Sequence, residues 1–164
     1  MGKKETFILF LMSGLPLYGE ISLGMLKSIE DNGKLNLLYK NTIVSCTPFG
    51  VVPLETMAKT SKECAQAVDT FYQNSPHERV FAKEHLIIGQ SYHFEQITEG
   101  CLLYANGLET YSEMLLSRGI AMMDPKLDNR EWKWRFMRAQ QGAQRQKKGF
   151  HPTDKVKECL KKEK

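Results

Sequence analysis

The sequence predicts an α+β domain of five short antiparallel strands and three helices in a chain of 164 residues. Three observations predict it. Short apolar runs with partial alternation are separated by tight-turn dipeptides at Asn32-Gly33, Lys40-Asn41 and Asn106-Gly107, residues that tolerate the positive φ such turns require. Apolar residues recur at helical spacing in three places. Glycine follows two of those stretches, at Gly119 and Gly149, where a left-handed residue ends a helix. Hydrophobic content of 41% and charged content of 26% fit one globular domain and exclude a disordered or low-complexity chain.

The elements follow in order. Residues 1–19 place two lysines before the apolar span Phe7–Gly19, the shape of a secretory signal peptide or N-terminal apolar anchor, too short to cross a bilayer as a helix. A buried first strand is the competing reading, and the Met-Gly-x-x-x-Thr myristoylation pattern is set aside. Ile21–Ile29, Lys34–Tyr39 and Thr42–Thr47 read as three meandering strands. Two prolines make Thr47–Pro53 a loop. Leu54–Tyr72 reads as one helix with Met57, Cys64, Val68 and Phe71 on a common face, ended by Asn74-Ser75-Pro76. His85–Tyr92 and Gly100–Tyr104 read as the fourth and fifth strands. A second helix runs from Leu108 to Gly119 and buries Leu108, Tyr111 and Leu115. Asp128 caps a third, Asn129–Lys148, whose apolar face is Trp132, Phe136, Ala139 and Ala143. Residues 150–164 form a charged tail. Five strands with a helix between the third and fourth suit a small OB-type barrel.

Charge is unevenly placed. Residues 1–118 hold ten Lys/Arg against thirteen Asp/Glu, whereas residues 119–164 hold thirteen against six, so the net +4 comes from the last helix and tail. Such a segment attracts phosphates or acidic protein and lipid surfaces, or is simply a solvated face. Cys46, Cys64, Cys101 and Cys159 form no CxxC pair, and the four histidines are scattered, so no zinc spacing exists. One or two disulfides are expected on export, with three connectivities open for a full set; in a reducing compartment these are small buried residues.

Tyr104-Ala105-Asn106-Gly107, the helix Tyr111–Ala121 and the Ala- and Arg-rich helix from Trp132 to Gly149 resemble the staphylococcal nuclease (thermonuclease) family. The resemblance covers residues 25–149 and is specific over 100–149. It implies a five-stranded OB-type barrel over residues 20–149. It also implies phosphodiester hydrolysis by calcium-binding carboxylates, two arginines and a general-base glutamate. Those groups are missing. The family's Asp-Thr-Pro-Glu motif reads Cys46-Thr47-Pro48-Phe49; the first-turn aspartate falls on Gly33; the arginine positions fall on Asn41 and on Thr98 or Glu99.

The resemblance therefore implies an inactive domain with no catalytic residue, no metal and no cofactor, degenerate at Gly33, Asn41, Cys46, Phe49, Thr98 and Glu99. The expected role is a structural or protein-binding part of a larger assembly, exported and periplasmic or envelope-associated, otherwise cytoplasmic. Membrane contact is expected only through residues 7–19, if uncleaved. Candidate residues for a partner or nucleic acid are Lys133, Arg135, Arg138, Arg145, Lys147 and Lys148. Two alternatives stand: an OB-fold protein that binds nucleic acid without cleaving it, and a calcium-dependent nuclease rewired through Arg79 and Arg118.

Overall fold

A computed structural model describes residues 20–98, 100–150 and 158–160; the expected signal peptide or anchor at 1–19 lies outside them. The fold is α+β. Its strands are β1 (Ile21–Ile29), β2 (Leu35–Tyr39), β3 (Thr42–Cys46), β4 (Val51–Pro53), β5 (Ser91–Ile97), β6 (Gly100–Asn106), β7 (Glu109–Thr110) and β8 (Ala121–Met123). Its helices are α1 (Leu54–Ala58), α2 (Lys62–Asn74), α3 (Pro76–Arg79), α4 (Phe81–His85), α5 (Tyr111–Arg118) and α6 (Arg130–Arg145). The main sheet runs β3-β2-β1-β5-β6-β7, and β4 pairs with β8 in a separate two-stranded ladder. Every ladder is antiparallel. A parallel bridge, Pro48 to Cys101, joins the chain just after β3 to β6.

The turns form where the sequence places them. Lys40 and Asn41 both adopt positive φ, 46° and 61°, and fold β2 directly onto β3. The sheet then buries Leu26, Leu35, Leu37, Phe94 and Leu103. Helices α5 and α6 add Tyr111, Leu115, Leu116, Trp132, Phe136 and Ala143. The segment expected to be a charged tail contributes Phe150 and Cys159 to the same core.

Five sequence expectations need correction, the first being that Val51–Pro53, expected as part of a loop, is strand β4 paired with β8. The Leu54–Tyr72 helix is two helices, because Ser61 caps a new start: its side chain accepts the Cys64 N–H and Lys59 closes the first helix. The Leu86-Ile87-Ile88 triplet is a loop, and the strand begins only at Ser91. Gly89, at φ +92°, breaks the run, and α4 occupies the residues before it. Leu108 is 84% exposed. Helix α5 starts later, at a capping box in which Thr110 accepts the Glu113 N–H and Glu113 accepts the Thr110 N–H. The cap of α6 is Asn129 and not Asp128, since the Asn129 side chain accepts the Trp132 N–H at 3.1 Å.

The Gly119 stop holds, whereas α6 ends at Arg145 with Gln146 as its cap, short of the expected stop at Gly149. Gly119 takes the left-handed cap of α5. Gly149, at φ +63°, lies so close to Gly119 that a Cβ there would sit 2.3 Å from its carbonyl oxygen. The Phe150 N–H donates to that same oxygen at 2.9 Å. This contact locks the end of α6 against the end of α5.

Candidate functional site

The corner where β3 meets β6 holds two of the positions that the nuclease resemblance makes catalytic, Cys46 and Phe49. Cys46 and Cys101 form a disulfide there, and both are buried. The backbone is drawn in around it: the Cys101 N–H donates to the Thr47 carbonyl at 2.8 Å, and the Phe49 N–H donates to the Cys101 carbonyl at 3.1 Å. Gly100, at φ +154°, permits this approach, because a Cβ there would sit 2.7 Å from the Thr47 oxygen. Ser112 of α5 donates its hydroxyl to the Phe49 carbonyl at 2.9 Å. The Phe49 ring is only 6% exposed and lies tilted against Phe136 of α6, centroids 6.4 Å apart.

These residues do not fit a calcium ion. Calcium takes roughly six to eight oxygen ligands, mainly carboxylates. Cys46, Thr47, Pro48, Phe49, Gly100, Cys101 and Ser112 offer no carboxylate, and both sulfurs are bonded to each other. Among the described residues, no group of three or more His, Cys, Asp or Glu stands together as a metal site. The remaining positions are scattered. Gly33 and Asn41 lie in the turns at opposite ends of β2. Thr98 lies in the turn leading into β6, and Glu99 lies outside the described residues.

A cleft of about 650 Å³ opens elsewhere, between the β1–β2 turn, α1, α2 and α5. Glu55 of α1 lines it and accepts the Tyr72 hydroxyl at 2.6 Å. Burial, reinforced by the Glu55 charge, pushes the Tyr72 hydroxyl well above the ordinary tyrosine range. The Tyr111 hydroxyl shifts the same way for the same two reasons. Both therefore remain neutral hydrogen-bond donors, which suits binding and not proton transfer near neutral pH. Sequence reading missed this trio. Tyr72 and Tyr111 sit on apolar helix faces, and the only signal was a phenol placed where a purely apolar residue would pack as well.

Arg79 and Arg118, the two arginines a rewired nuclease would recruit, stand near this cleft already paired. Arg118 Nε contacts both Glu78 carboxylate oxygens at 2.8 and 2.9 Å. Arg79 pairs with Asp69 at 3.6 Å and lies over the Tyr72 ring.

The third region is α6. Lys133, Arg138, Arg145, Lys147 and Lys148 are all exposed. Arg135 is a different case. Its guanidinium binds Glu113 through Nε at 2.9 Å and Nη2 at 2.8 Å, donates to the Leu108 carbonyl at 3.0 Å, and lies over the Trp132 ring at 4.4 Å. It ties α5 to α6 and is only partly exposed. Sequence periodicity could not separate it from its neighbours, because its partner Glu113 is supplied by another helix.

No family model matches this chain, and no curated protein matches it.

Proposed function

We propose that this chain is a thermonuclease-like domain without catalysis that serves as a structural or protein-binding component of an envelope-associated assembly. One observation carries the reading. Where the resemblance expects a calcium-binding aspartate and a general-base glutamate, the chain has a buried disulfide cysteine and a buried phenylalanine, Cys46 and Phe49. Losing one such electrostatic group typically costs ~10²–10³ in rate, and here metal ligand, base and both arginines are absent together.

The barrel part of the proposal is supported by the strand order, by the Pro48–Cys101 bridge between the chain after β3 and β6, and by helices inserted between β3 and β5. The exported setting is supported by two disulfides, Cys46–Cys101 and Cys64–Cys159, since such bonds persist in oxidising compartments.

The test is plasmid degradation with calcium and with chelator, alongside affinity capture from the native cells after nuclease treatment. We expect no cleavage in either condition and a stable protein complex that survives the treatment. Cleavage abolished by chelator would sink the proposal.

A further inference from the structure

We infer that the outward face of α6 is a peripheral docking surface for an anionic lipid bilayer, independent of whether the domain is an inactive nuclease. Arg130, Trp134, Met137, Arg138 and Arg145 fall on one stripe of this helix, directly opposite the buried Trp132, Phe136 and Ala143. Trp134 is 58% exposed and Met137 is 40% exposed, so a large aromatic and a thioether stand in water amid cations.

Among the described residues, Arg130, Lys133, Arg138 and Arg145 form no ion pair. The one acid on α6 is Glu131. Arg138 instead lies over the Trp134 ring at 5.6 Å, which keeps the cation and the indole on the same side of the helix. Tryptophan prefers the membrane–water interface, and each lysine or arginine near an anionic surface adds attraction of its own. No described helix is long and apolar enough to cross a membrane, so the contact is one of lying on the surface.

A nucleic acid is the poorer occupant. Single strands bind in cationic grooves lined by successive aromatic platforms. This face is the convex side of a helix with one exposed ring, and its other apolar group, Met137, has no π-face on which a base could stack. A flat bilayer meets a convex helix face along its whole length, and buries thioether and aliphatic groups as readily as an indole.

The chain carries its own reporter, because it has two tryptophans and the other, Trp132, is 5% exposed. The experiment is co-sedimentation of the full chain with phosphatidylglycerol or phosphatidylcholine vesicles, with brominated acyl chains in a parallel set. Binding is expected to phosphatidylglycerol only, to weaken with salt, and to quench tryptophan emission. Lys133→Glu with Arg138→Glu should weaken it at least ~25-fold, about fivefold for each cation removed. Trp134→Phe should keep most binding and lose the quenching. Insertion of the apolar run at residues 7–19 would instead bind both vesicle types and ignore the α6 variants. That outcome overturns the inference, as does absence of binding. Variant-sensitive binding to a DNA or RNA oligomer without vesicle binding overturns it in favour of nucleic acid. Matching circular dichroism of the variants keeps the comparison one of surface chemistry.

Discussion

The corner built on Cys46 and Phe49 and the outward face of α6 face opposite ways from the same helix. Phe136 reaches inward from α6 to the Phe49 ring, and Trp134, two residues earlier, stands in solvent. Both regions are aromatic. One is sealed by a disulfide, backbone hydrogen bonds and a glycine without room for a methyl group; the other is exposed, with Arg130, Lys133, Arg138 and Arg145 in no ion pair among the described residues. Residue type alone does not distinguish a packing role from a contact role. A rotation of roughly 200° along a helix does, because successive residues turn by about 100°.

The contrast can be broken first at the corner. Restoring the carboxylate there with Phe49→Glu should not restore catalysis. It should bury an unpaired charge and destabilise the domain by about 3–5 kcal/mol, read as a lowered denaturant midpoint with no gain in plasmid cleavage. Phe136→Ala removes the other ring and should cost about 3–5 kcal/mol by the same measurement. Cys46→Ala with Cys101→Ala opens a 55-residue separation and should cost about 2–4 kcal/mol. If the double variant is as stable as the parent, the corner is not what holds β3 to β6.

The cleft gives a smaller, pH-dependent effect. Tyr72 and Tyr111 hold their protons more tightly in the folded chain than in the unfolded chain. Above the ordinary tyrosine value of 10.0 the unfolded state releases protons that the native state keeps. Their contribution is therefore complete below pH 10 and declines as pH rises beyond it. Thermal melts from pH 8 to pH 11 should show stability falling only above pH 10, and Tyr72→Phe should blunt the fall. The smallest effect belongs to the outward face: Trp134→Ala should change stability by no more than about 0.5 kcal/mol. A larger loss would mean that this face packs and does not dock.

Legibility followed the range of the interactions. The Lys40-Asn41 turn and the Gly119 stop are set within a few residues by backbone sterics, so they could be read directly. The inward face of α6 was legible because one helical period carries it. The break at Ser61 was not, since a serine cap competes with an apolar stripe that runs straight through it. Leu86-Ile87-Ile88 failed for the opposite reason: it is apolar enough for a strand, but Gly89 and the preceding α4 leave it no partner to alternate against. At the candidate site, the residue types at Cys46 and Phe49 were legible as letters. The Cys46–Cys101 bond, the Arg135–Glu113 clamp and the Tyr72–Glu55–Tyr111 trio were not, because each joins residues that only the tertiary fold brings together.

The two disulfides also impose a timetable on a chain that emerges amino end first. Cys101 is available long before Cys159, so the bond at the corner can form while the partner of Cys64 is still unmade. During that interval Cys64 is a free thiol beside two others, and mispairing with Cys46 or Cys101 competes with the native bond. Once Cys101 has emerged, the backbone hydrogen bonds that tie it to Thr47 and Phe49 favour its pairing with Cys46 and leave Cys64 for its distant mate, Cys159.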